Sequence, residues 1–121
     1  MEEIYKEIIL DHYKNPRNFG KIKKPDFYSK ESNVFCGDDV EFFLKIKNKR
    51  IKEIKFQGRG CVISQASSSL LSEYLKNKLL SKVKETTIND VINLLGIKLS
   101  PTRMKCAELP LIALKKINEE R

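Results

Sequence analysis

The sequence predicts an α+β domain in which helices cover a small antiparallel sheet. Two runs of β-branched and aromatic residues, Val40 to Ile46 and Ile51 to Phe56, are separated by Asn48-Lys49-Arg50, which reads as a hairpin. Segments with three- and four-residue apolar spacing lie on both sides of that pair. Strands grouped together, with helices before and after them, is the α+β order.

The elements follow in turn. Ile4, Tyr5, Ile8, Ile9 and His12 share one face of a first helix. Asn15-Pro16-Arg17-Asn18 stops it, because proline biases the residue before it away from helix. Residues 18–33 read as an extended loop, with Val34 and Phe35 assigned to a strand ahead of the hairpin. Gly58 and Gly60 end the last strand and permit a tight turn. A helix is expected from Val62 to about Asn77, its buried stripe being Ala66, Leu70, Leu71 and Leu75. The serines at 64, 67, 68 and 69 are unusual in a helix body, and their small size lets backbone approach closely. Thr87 caps a short helix through Leu95, with Asp90 in its first turn. Ser100-Pro101 reads as N-cap and first helical residue. A final helix is expected over Glu108 to Glu119, with Pro110 tolerated in its first turn.

With 121 residues and no visible linker or repeat, residues 1–121 are expected to form a single domain. A domain of this size builds a core without metal or disulfides, which leaves its cysteines free for chemistry. No apolar run reaches the ~18 residues of a membrane span, and the acidic, amphipathic start is not a signal peptide. The expected location is the cytoplasm. Three cysteines, an odd number, argue against a disulfide framework. The formal charge of +8 admits a nucleic-acid binder. Against that, lysines are spread along the chain and no aromatic–basic interleaving appears, so the excess points rather to acidic protein partners.

The cysteines carry the chemistry. Cys36 opens Cys36-Gly37-Asp38, Cys61 follows Gly58-Arg59-Gly60, and Cys106 ends Arg103-Met104-Lys105-Cys106. Cys61 and Cys106 are both expected just ahead of helices, where free N–H groups lower a thiol's pKa. Arg59, Arg103 and Lys105 add positive charge nearby. Three thiolates and the Asp38 carboxylate make a four-donor set for zinc or an iron–sulfur cluster, with one harder, more exchangeable corner. No two cysteines have the close spacing of a structural zinc knuckle, which argues for an exchangeable rather than a structural site. His12 reads as packed at its helix end, Tyr5 and Tyr13 as packing or partner contacts, and Met104 as core.

These blocks resemble a known family. His12-Tyr13-x-Asn15-Pro16-Arg17-Asn18-x-Gly20, Asn33-x-x-Cys36-Gly37-Asp38, Phe56-x-Gly58-x-Gly60-Cys61-x-Ile63-Ser64-x-Ala66-Ser67-x-Ser69 and Lys105-Cys106-Ala107-x-Leu109 are similar to the IscU/NifU-type iron–sulfur cluster assembly scaffolds. The likeness spans nearly the whole chain. It implies a three-stranded antiparallel sheet packed against helices, the fold of the NifU N-terminal domain. It implies a scaffold that takes sulfur from a cysteine desulfurase and iron from a donor, holds a transient [2Fe–2S] cluster, and passes it to recipient apoproteins. Cys36, Asp38, Cys61 and Cys106 would be the cluster or metal ligands, with Lys105 and Arg103 their neighbours; of the thiols, Cys106, set in electropositive surroundings, is the expected persulfide acceptor and Cys61 the second choice.

One departure is informative. Many such scaffolds carry histidine before the last cysteine, where this chain has Lys105, whose ammonium cannot ligate metal. Arg103-x-Lys105-Cys106 resembles the SufU branch, whose members look like zinc-dependent sulfurtransferases. The stretch between Cys61 and Cys106 is too short for that branch's usual insertion. Leu99-Ser100-Pro101-Thr102-Arg103 keeps one proline of the chaperone-recognition segment, which argues against a dedicated Hsp70-type partner. The alternative readings are thus a zinc-dependent sulfurtransferase and, from another class, a basic zinc-containing nucleic-acid-binding module.

Overall fold

The computed structural model describes residues 2–34 and 37–119, with side chains from Lys6 to Ile117. The elements run α1 (Glu2–Lys14), β1 (Phe27–Asn33), β2 (Asp38–Lys47), β3 (Arg50–Arg59), α2 (Val62–Leu75), α3 (Ser81–Glu85), α4 (Ile88–Leu95) and α5 (Pro101–Glu119). The strands form one antiparallel sheet in the order β1-β2-β3. No described helix is long and apolar enough to cross a membrane.

The hairpin is tighter than its sequence suggests. Asn48 and Lys49 alone make the turn, both at positive φ (54° and 65°), and Arg50 already pairs with Lys47. Positive φ at both central residues is the type I′ geometry, whose twist matches that of the strands it joins. In register, Phe42 faces Phe56 and Leu44 faces Ile54, all four fully buried. Leu71 and Leu75 of α2 and Leu114 and Ile117 of α5 close over them in one apolar cluster.

Three expectations are corrected. Residues 27–33 are a strand, β1, rather than loop, while Val34 lies in a turn and Phe35 is outside the described residues. The run Phe-Tyr-Ser-Lys-Glu-Ser-Asn has little strand propensity; pairing with β2 along its whole length supplies what local preference lacks. Ser100 and Pro101 open a helix as read, but that helix runs unbroken to Glu119 rather than a final one starting at Glu108, so Pro110 sits in mid-helix. Ser100 caps it by accepting the Arg103 N–H (3.4 Å). The short α3 was not anticipated, because five residues carry too little periodicity to read.

The outer edge of β3 is covered at both ends, which protects it from pairing with other chains. Asn18 accepts the Phe56 N–H (3.0 Å) and Gly20 donates to the Phe56 carbonyl (2.8 Å). At the other end Ile51 donates to the Lys78 carbonyl and accepts from Asn77, both at 2.8 Å.

The serines of α2 pin the N-terminal block to the domain. Ser69 Oγ accepts the Arg17 N–H (2.9 Å) and meets His12 Nδ1 (2.7 Å), and Ser72 Oγ accepts from Asn18 Nδ2 (2.9 Å). His12 is thus buried and bonded at the helix end, as its sequence position indicates. Burial, then the Arg17 charge, lower its pKa below the usual 6.5, against weaker opposition from Glu73 and Asp11. A depressed histidine pKa means the unfolded chain binds the proton first as pH falls, so His12 favours the fold above 6.5 and that advantage is lost below it. The thermal midpoint is expected to drop between pH 7.5 and 5, and His12→Gln to flatten that slope. An unchanged slope would show that the drop arises elsewhere.

Candidate metal centre

Three of the four proposed donors meet at one end of the sheet. Asp38 is the first residue of β2, Cys61 follows the end of β3, and Cys106 lies in α5. Register brings the first two together: Asp39 pairs with Arg59, and the Arg59 N–H donates to Asp39 Oδ1 (3.1 Å). One step further along, the Cys61 N–H donates to Asp38 Oδ1 (3.3 Å). The donor atoms of Asp38, Cys61 and Cys106 lie within 4.8 Å of one another. Cys36 is outside the described residues; the chain resumes at Gly37, whose N–H donates to the Asn33 carbonyl (2.9 Å) and whose φ is 71°.

Cys61 is the N-cap of α2 in extended conformation (φ −72°, ψ 171°), and its side chain caps nothing. Its thiol is exposed at the start of a 14-residue helix, as the sequence indicates. Ser64 Oγ donates to the Cys61 carbonyl (3.1 Å) and Gln65 Nε2 to the Gly58 carbonyl (3.1 Å), which fasten the strand-to-helix turn.

Cys106 departs from expectation. It lies inside α5 and is 5% exposed, so neither a helix N-terminus nor solvent eases its ionisation. Burial pushes its thiol up to about 12, and Cys61 and Asp38 beside it add to the shift. The expected second start at Glu108 rests on Pro110 as a first-turn residue, and the helix that Pro101 opens continues through it. Pro110 interrupts the helix ladder, and having no N–H it leaves the carbonyl of Cys106, four residues back, without its helical donor.

The donor chemistry fits a cation. Asp38 is 4% exposed, and among the described residues its buried Oδ2 is assigned no hydrogen-bond partner. A buried carboxylate oxygen is costly without a good partner, and the protonated Cys106 thiol beside the Asp38 carboxyl is only a weak donor, whereas a cation would compensate it fully. A thiol coordinated to metal is deprotonated outright, so a bound cation would reverse the rise seen at Cys106. Lys105 and Arg103 are exposed, and among the described residues neither side chain forms a hydrogen bond or ion pair. Lys105 lines an open hollow between α5 and the end of β1, with Asn33, Val34, Glu108 and Ile112. Met104 is half-buried rather than core.

The two glycines serve close approach, since neither has a positive φ that a turn would require. A Cβ at Gly60 would fall 2.1 Å from Ser64 Oγ and 3.1 Å from Asp38 Cγ. Ser64 is the end of a short rotatable side chain, whereas the Asp38 carboxyl is held by the Cys61 N–H. Gly60→Ala is therefore expected to leave the protein folded and to weaken zinc binding about tenfold, as mutations beside ligands do. Competition with a chromophoric chelator measures it, and unchanged affinity would show that Asp38 does not hold the metal.

Known proteins place this geometry in context. The family profile described as "NifU-like N terminal domain" matches residues 4–118. The chain is 36% identical over 113 residues to the "Iron-sulfur cluster assembly scaffold protein IscU 1" of Archaeoglobus fulgidus, covering 93% of this chain and 73% of that one. It is 33% identical to the "Zinc-dependent sulfurtransferase SufU" of Bacillus subtilis, over 96% of this chain and 90% of that one. That alignment runs 133 positions against 121 residues, so the Bacillus protein has residues without counterpart here. The crystal structure of the putative SUF-system scaffold from Fervidobacterium islandicum superposes with a TM-score of 0.77 at 29% identity, covering 96% of this chain and 97% of that one.

Proposed function

Because the chain belongs to the NifU-like N-terminal domain family, we propose that it is an iron–sulfur cluster assembly scaffold. It receives sulfur from a cysteine desulfurase and iron from a donor, holds a transient [2Fe–2S] cluster, and hands it to apoproteins. The observation that carries this reading is the convergence of Asp38, Cys61 and Cys106, with the Asp38 Oδ2 buried and unpartnered among the described residues. Cys36, two residues before Asp38, completes the set of three thiolates and one carboxylate. The cluster is cargo: three soft donors retain it, and the harder carboxylate is the corner at which it is released. The protein turns over no small substrate and works in the cytoplasm, where thiols stay reduced.

Cys106 is our sulfur acceptor. Its thiolate attacks the outer sulfur of the desulfurase persulfide, forming a new S–S bond at Cys106 while the desulfurase cysteine leaves as thiolate. Since Cys106 is buried and Cys61 is open, the desulfurase has to uncover Cys106 before attack. Zinc held by the same four side chains would keep the thiols ionised, and the Arg103-x-Lys105-Cys106 ending favours this second reading, a zinc-dependent sulfurtransferase.

Anaerobic reconstitution with iron and sulfide separates the two. The scaffold reading expects visible absorption and Mössbauer signals of a [2Fe–2S] cluster that transfers to an apo-ferredoxin. Tight zinc and strong stimulation of a desulfurase, with no cluster formed, would replace it by the sulfurtransferase.

A further inference from the structure

The end of the sheet opposite the metal centre carries the molecule's entire charge excess. Segments 47–52 and 76–84 contain eight lysines and arginines and no carboxylate, and the net charge of the whole chain is +8. The remainder of the chain is therefore neutral on balance. The two segments are one surface. Leu80 donates its N–H to the Lys49 carbonyl (2.9 Å), Ile51 donates to the Lys78 carbonyl (2.8 Å), and Arg50 Nη1 donates to the Asn77 carbonyl (3.1 Å). Among the described residues none of these cations has an ion-pair partner.

Like charges crowded within a Debye length repel, so this arrangement costs stability until an anion lies over it. Two features indicate which anion. Lys78 and Lys82 sit over the ring of Tyr74, at 5.9 and 5.8 Å from its centroid, so the aromatic ring beside this surface is engaged by its own cations rather than left free to stack a base. Leu79 stands 44% exposed among the cations, held by its backbone bridge to Arg50. A fixed apolar side chain ringed by lysines complements an acidic protein surface with an apolar anchor, and adds nothing to a phosphate ridge. One leucine is also too little to anchor a membrane.

We propose that this basic end is a docking surface for an acidic protein partner that seats an apolar side chain on Leu79. The ten residues of β2 separate it from Asp38 by about 30 Å. A partner held there leaves the metal centre open, so the surface acts independently of what that centre binds.

Fluorescence anisotropy at low salt tests this with four probes: a Glu-Glu-Leu repeat peptide, a Glu-Glu-Ser repeat peptide, a 20-base-pair duplex, and phosphatidylserine-containing vesicles. The leucine-bearing peptide is expected to bind tightest, with affinity falling as salt rises. Lys47→Glu/Lys76→Glu/Lys78→Glu should weaken it about tenfold or more, whereas the same three positions as arginine should retain it. Leu79→Ser should remove the preference for the leucine peptide. Zinc content should be the same in all variants, which separates failure here from failure of the scaffold reading. Tighter binding of the duplex or vesicles than of either peptide, a charge-reversed variant that binds like the parent, or a leucine preference that survives Leu79→Ser would overturn the proposal.

Discussion

Replacing Cys61 or Cys106 by serine is expected to lower zinc affinity by on the order of 100-fold or more and to abolish cluster retention, because a neutral hydroxyl is a poor substitute for a thiolate donor. The two variants should differ in their cost to the fold. Cys61 is exposed and its side chain makes no cap, so Cys61→Ser should leave the thermal midpoint of the metal-free protein within about 2 °C. Cys106 is a buried residue of α5 in the apolar cluster, so a hydroxyl there loses apolar contacts and needs a partner. A drop of roughly 5 °C, about 1 kcal/mol, is expected for Cys106→Ser. Metal analysis after anaerobic purification, alongside calorimetry of the stripped proteins, reads both quantities. Normal metal content in either variant would remove that cysteine from the site. A stripped parent protein without a cooperative transition would mean that metal builds the fold, against the core seen here.

The largest loss of stability is expected at Gly58. A Cβ there would lie 2.2 Å from the backbone oxygen of Asp39 and 2.9 Å from the Cα of Val40. Both belong to the paired backbone of β2, so neither moves aside as a side chain would. Gly58→Ala therefore forces the β2–β3 ladder apart at the end that positions Asp38 and Cys61. We expect a loss of about 3–4 kcal/mol, the range of severe packing errors. For a chain of this length, at the same conversion of roughly 5 °C per kcal/mol, that corresponds to roughly 15–20 °C in the midpoint. Gly60→Ala, whose nearest obstacle is a serine hydroxyl, should cost much less. Equal midpoints for the two variants would show that the ladder relaxes around Cβ at position 58 and that the close approach is not what requires glycine.

What was legible in the chain follows one rule. Thr87 caps α4 as read, its Oγ1 accepting the Asp90 N–H (3.3 Å); Asp90, read only as first-turn charge, also accepts the Thr87 N–H (2.8 Å) and completes a capping box, and Gly96 closes α4 at φ 73°. The β2–β3 hairpin and α2 also appear where their local patterns put them. Each depends on residues within a few positions of one another. β1 did not show in the sequence, because Phe27–Asn33 becomes a strand only through a neighbour that comes later in the chain. The unbroken course of α5 from Pro101 past Glu108 did not show for a related reason. Pro110 reads locally as a beginning, and the packing of Ala107, Leu111 and Leu114 into the core carries the helix through it.

The sequence by itself determined which atoms are available: three sulfurs, a carboxylate two residues from the first of them, and glycines before the second. Tertiary structure alone decided that Asp38 keeps one oxygen buried without a partner among the described residues, that Cys106 is buried within α5 while Cys61 stays open, and that two basic segments far apart in the chain form one surface. The physical reason is that donor identity is a property of each residue, whereas burial and proximity arise only when strands and helices remote in sequence pack together.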